Sequence, residues 1–149
     1  MGNWHEPKST RVVMDAIEDA GRVVKIDPRR KHLVGLSNGG LGISQIAISS
    51  GERFRSLVFL SPVFDQREIE SVAFRKQWSG RPVLVITGKA DNRVPFEYVG
   101  ENVRTMQDAG ARVTLEAVDA ADHFLFFSHE AFVLARLEAW LREQEVGEL

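Results

Sequence analysis

Apolar and polar positions in this chain fall into two alternating textures. Helical spacing comes first: over roughly residues 9–24, Val13, Ala16, Ile17, Ala20 and Val24 recur on one face, with Ser9 placed to cap the helix and Asp27-Pro28 to end it. A short apolar run follows, His32–Leu36 (HLVGL), and opens directly into Ser-Asn-Gly-Gly. A second helix is expected over about 39–50, with Leu41, Ile43, Ile46 and Ala47 turned to a sheet. The runs Ser56–Leu60 (SLVFL) and Pro82–Thr87 (PVLVIT) are continuously apolar, and Gly88 closes the latter. The loop-rich stretch 62–80 between them leaves room for one short helix. A helix over 96–109, carried by Val99, Val103 and Met106 and stopped by Gly110, precedes the alternating run Arg112–Val118. The last helix, about 129–144, places Val133, Leu137, Trp140 and Leu141 on one stripe, with Ser128 as its cap.

Strands alternating with helices of this length require right-handed crossovers and a parallel sheet. The fold class is therefore α/β, one domain over residues 1–149, with about four strands. The three continuously apolar runs read as strands covered on both faces. Only Arg112–Val118, with Arg, Thr and Glu on one side, reads as an edge. A four-stranded sheet has two edges, so the run at 32–36 is expected to lie beside something else: upstream sequence, a complementing chain, or a second copy in a homo-oligomer.

Composition narrows the functional classes. The 149 residues are 44% hydrophobic and 27% charged, with a net charge of −2, ordinary for a globular domain and without a field to draw nucleic acid or an anionic membrane. No run approaches the ~18 apolar residues of a membrane span, and the amino terminus lacks a signal peptide's apolar region. The absence of cysteine removes disulfides, thiolate metal sites and a cysteine nucleophile, and suits a reducing compartment such as the cytoplasm. Asp65, Glu68 and Glu70 have no histidine beside them, so no metal set is expected.

Three positions carry the chemistry. Gly35-Leu36-Ser37-Asn38-Gly39 is a G-x-S-x-G pattern between an apolar strand and a helix. Such a turn forces the serine into an uncommon backbone conformation and exposes its hydroxyl beside a helix amino terminus, where backbone amides can meet a developing oxyanion. The flanking glycines are expected to remove side chains that would collide there, and Gly40 and Gly42 to allow close helix packing. The competing reading is a glycine-rich turn whose serine merely caps a helix. Asp91 lies just past the strand 82–87, ahead of a helix begun by Pro95, on the same rim. Its competing reading is a turn aspartate. His123 follows the last strand, whereas His32 begins its strand at the opposite end, His129 starts the final helix and His5 is in the amino-terminal segment. The order Ser37…Asp91…His123, each after a different strand, is the order of a nucleophile, an acid and a base.

With these residues in place the chain resembles the carboxyl-terminal half of the α/β-hydrolase superfamily, over nearly its whole length. The segment Ile26–Gly40 (IDPRRKHLVGLSNGG) is similar to bacterial serine esterases and to dienelactone-hydrolase-like and polyhydroxyalkanoate-depolymerase-like proteins. The resemblance implies Ser37 as nucleophile, His123 as general base, Asp91 as its orienting acid and the Asn38 N–H as an oxyanion donor. It implies a small-molecule ester as substrate and no cofactor. Four further strands, and the loop giving a second oxyanion N–H, precede this region in the superfamily, so the chain reads as a truncated hydrolase domain. Val63, Phe64, Phe74 and Trp78, in the stretch where such hydrolases place substrate-covering insertions, are candidates to line an acyl pocket, the competing and favoured reading being that they only pack this loop onto the sheet. Val94 and Phe124 are further candidates to meet the substrate, with most of Phe124–Phe127 expected as core. Two rival functions remain: a catalytically silent module that oligomerises or binds, and a fragment of a prolyl-oligopeptidase-like peptidase.

Overall fold

The computed structural model describes Trp4 and residues 6–146; His5 lies outside the described residues. The strands β1 (His32–Leu36), β2 (Ser56–Leu60), β3 (Pro82–Gly88) and β4 (Arg112–Val118) form one sheet in the order β1-β2-β3-β4, all parallel. Among the described residues seven α-helices precede, connect and follow them: α1 (Pro7–Val23), α2 (Gly39–Ser49), α3 (Gln66–Ile69), α4 (Val72–Trp78), α5 (Phe96–Asp108), α6 (Leu125–Ser128) and α7 (Glu130–Val146).

Strand pleating sorts the core into two halves, because successive side chains point to opposite faces. Leu57, Phe59, Val83 and Val85 pack with Ile43, Ile46, Phe74, Val99, Val103 and Met106 from α2, α4 and α5. Val58, Leu60, Leu84 and Ile86 pack with Leu125, Val133 and Trp140 from α6 and α7. Every residue of β2 and β3 is buried, as apolar runs between two helical layers should be.

Strand β1 departs from that pattern. Leu33 and Gly35 are buried, but Val34 is 46% exposed and Leu36 36%. An all-apolar run thus stands at an open edge with one face covered, where sequence texture alone made it internal. An apolar groove lined by Trp4, Val13, Leu36, Gly42, Ile43 and Ile46 runs along it. Helix α1 is itself mostly exposed: Val13 and Ile17 touch the core, while Ala16, Ala20 and Val24 do not.

Three helix boundaries differ from expectation. Pro7 starts α1 ahead of Ser9, and Glu6 precedes it without a side-chain cap bond. The stretch 62–80 holds two helices rather than one, α3 and α4, with the Ser71 hydroxyl accepting from Phe74 N–H at 3.0 Å. Ser128 ends α6 instead of capping α7, its hydroxyl meeting Phe124 O and His129 Nδ1.

Candidate functional site

Because the strands are parallel, their carboxyl ends share one rim, and the loops leaving β1, β3 and β4 carry Ser37, Asp91 and His123 onto it. The Ser37 N–H extends the sheet by donating to Leu60 O at 2.8 Å, and the chain then turns with Ser37 at φ 53°. The Ser37 carbonyl accepts from Gly40 N–H at 2.9 Å and Val63 N–H at 3.1 Å, fixing the turn against α2 and the loop after β2. A left-handed conformation is costly for serine and persists only where the surroundings dictate it. The glycines around it differ in necessity. A Cβ on Gly35 would sit 2.7 Å from Gly39 O, and one on Gly40 2.3 Å from Val63 O. One on Gly39 would meet nothing within 4 Å, and one on Gly42 only an ordinary contact at 3.4 Å, so the crowding expected of all four is confined to two.

The loops after β3 and β4 are sewn together. Lys89 N–H donates to Val118 O at 3.0 Å and Ala90 N–H to Ala121 O at 2.9 Å. Gly88 is indispensable to that approach, since a Cβ there would lie 2.1 Å from Ala121 O. Asp91 turns inward and is 4% exposed; its Oδ1 accepts from the N–H groups of Arg93 and Val94, both at 2.8 Å. Its Oδ2 lies 2.8 Å from His123 Nδ1, and His123 Nε2 lies 2.9 Å from Ser37 Oγ. A carboxylate can only accept, so Nδ1 carries the proton and Nε2 is the lone pair facing the serine hydroxyl. The three side chains, scattered over 86 positions of sequence, form one hydrogen-bonded line. The Asn38 N–H stands beside it at the amino end of α2, where a helix's first amides have no intrahelical partner.

The lining residues expected from sequence separate into two groups. Phe124, 46% exposed, packs edge-on to the His123 ring at 5.8 Å, and Val63, half-buried, touches the elbow through its backbone. Phe64 and Val94 are core residues with no surface to offer: the Phe64 ring lies 4.8 Å from Phe59, and its N–H donates to the Tyr98 hydroxyl. Phe74 and Trp78 are fully buried. Of the run 124–127, Leu125 is core and the partly buried Phe126 packs against it, while Phe124 and Phe127 are exposed, so half of the run rather than most of it is interior. Sequence reading passed over Arg93, whose guanidinium lies 4.8 Å over the Phe124 ring; only its place two residues after Asp91 hinted at it.

No protein-family model matches the chain, and no curated protein sequence matches it. Solved structures do. A thermostable esterase superposes with a TM-score of 0.69 at 20% identity, covering 91% of this chain and 36% of its own. The Bacillus cereus carboxylesterase gives 0.68 at 17%, covering 91% of this chain and 59% of its own. Thermogutta terrifontis esterase 2, solved phosphoramylated by tabun, gives 0.61 at 19%, covering 83% and 58%. The fold is that of an α/β hydrolase. At these identities the likeness to α/β hydrolases is one of architecture, and this chain spans 36–59% of the length of those structures. Among the described residues no helix is long and apolar enough to cross a membrane.

Proposed function

We propose that the chain is a serine hydrolase that cleaves carboxylic esters through an acyl-enzyme intermediate. The supporting observation is the unbroken line Ser37 Oγ–His123 Nε2 and His123 Nδ1–Asp91 Oδ2, at 2.9 and 2.8 Å, with Ser37 held at positive φ on the rim. Ser37 Oγ attacks the ester carbonyl carbon as its proton passes to His123 Nε2, and the Asn38 N–H meets the oxyanion. Collapse expels the alkoxide, which takes the proton from Nε2, leaving the acyl group on Oγ. Water then gives a proton to Nε2, attacks the acyl carbon, and Ser37 recovers its proton as the acid departs. Asp91 stays ionised and holds the imidazole in the required tautomer.

Turnover of para-nitrophenyl acetate is expected, abolished by Ser37→Ala, together with fluorophosphonate labelling of Ser37. Equal background from both proteins, without labelling, would overturn the reading.

The open edge of β1 favours one addition. Val34 and Leu36 are exposed on a strand whose outer hydrogen-bonding groups have no partner strand among the described residues. We propose that self-association through this edge accompanies the activity.

A further inference from the structure

A stack of three side chains extends from the proposed active site along the rim. The Phe124 ring meets the His123 ring edge-on at 5.8 Å and 80°, and the Arg93 guanidinium carbon lies 4.8 Å from the Phe124 centroid. The Arg93 backbone is pinned, because its N–H is one of the donors to Asp91 Oδ1. Its side chain and Phe124 are both exposed.

The charges around the stack are unequally matched. Asp91 is engaged with His123, Asp119 with Lys89 at 2.7 Å, and the Asp122 carboxylate takes the Phe124 N–H at 2.9 Å. Among the described residues Arg93 forms no ion pair. The rim beside the histidine thus holds an exposed guanidinium over an aromatic ring with no ion-pair partner among the described residues, while the Asp122 carboxylate is engaged by a backbone amide. A guanidinium so placed is attracted to the ring face and, with no ion pair of its own among the described residues, keeps N–H donors that can bind a carboxylate through two parallel hydrogen bonds.

Chemistry fixes which part of the substrate would reach it. His123 Nε2 must hand its proton to the departing alkoxide, so the alcohol half of the ester lies against His123. Phe124 flanks that ring, and Arg93 comes next. We infer that Arg93, carried on Phe124, is an anion-binding specificity residue, and that the preferred substrates are esters whose alcohol half bears a carboxylate. The inference rests on the Ser37 hydrolase reading for its orientation, but the anion site can be tested apart from turnover.

Two isosteric esters make the comparison: para-acetoxybenzoate, whose leaving group is anionic, and the neutral para-acetoxybenzamide. The ratio of their kcat/KM values is expected to favour the anion, to fall about tenfold in Arg93→Gln, and to recover in part in Arg93→Lys. Binding of the products is measured in parallel: the Kd of para-hydroxybenzoate should rise in Arg93→Gln by a similar factor, and that of para-hydroxybenzamide by less. Hydrolysis with a ratio and a Kd that do not move would overturn the anion site and leave the Ser37 reading intact. Loss of para-hydroxybenzoate affinity in a protein that hydrolyses neither ester would support the site and sink the Ser37 reading. Neither hydrolysis nor selective binding would remove both.

Discussion

Asp91 accepts three hydrogen bonds with its two oxygens: the Arg93 and Val94 amides on Oδ1 and the His123 ring on Oδ2. In Asp91→Asn the amide oxygen keeps the two backbone donors, which turns the NH2 toward the imidazole. Nδ1 must then accept, Nε2 becomes the N–H, and the lone pair facing Ser37 is lost. A fall in kcat of about 10⁴ with an unchanged circular dichroism spectrum is expected, measured on the same nitrophenyl ester. A second residue-scale prediction concerns stability. His32 Nδ1 meets the Ser56 hydroxyl at 2.7 Å, while its buried Nε2 has no hydrogen-bond partner among the described residues. Burial pushes its pKa below the ordinary histidine value; Glu145 opposes that, and Arg55 and Arg30 reinforce it. The unfolded chain therefore binds this proton more readily, and the stability gained from a neutral His32 is lost as pH falls through about 6.5 toward the folded value. Urea midpoints at pH 5 and 7.5 should differ more in the native protein than in His32→Asn.

That Ser37, Asp91 and His123 share a rim was legible because each follows a strand end, and strand ends in a parallel sheet face one way. What stayed hidden depends on contacts between loops. Gly88 reads in sequence as a strand terminator, yet its weight comes from Ala121, 33 positions on, whose carbonyl occupies the place of a side chain. Phe64 looked available because it lies in the loop-rich stretch 62–80 and Val94 because it closely follows Asp91, but each turns into the core.

Among the elements, the strands were the most legible, since three, two apolar and one alternating, began and ended where their sequence runs did. Helices α3 and α4, of four and seven residues, are too short for periodicity to declare; Ile69, Phe74 and Trp78 are their buried anchors, with the Trp78 indole N–H donating to Ala47 O at 2.8 Å. Strand β1 carries the texture of a strand covered on both faces, whereas the described residues cover only one face and leave its outer edge open, as the edge count of a four-stranded sheet led one to expect. Placing a charge on its exposed face tests the proposed association: Val34→Lys should shift the protein to smaller species in light scattering behind size exclusion, with little loss of thermal stability, because Val34 is already half exposed. A native protein that elutes as a well-behaved monomer at tens of micromolar would refute the association.

At the scale of the molecule, the three side chains of the proposed centre stand on unequal ground. Asp91 and His123 leave strands that pair with one another along seven residues, and β3 is flanked on both sides. Ser37 leaves a strand paired on one side only among the described residues, preceded by a helix with little of its surface covered. Warming should fray the flank bearing the hydroxyl while the imidazole and carboxylate are still in place. Half-inactivation is then expected several degrees below the midpoint of the far-ultraviolet melt, and the amides of α1 and β1 should take up deuterium before those of β3. Coincident inactivation and melting, with uniform exchange, would show instead that the sheet gives way as one unit.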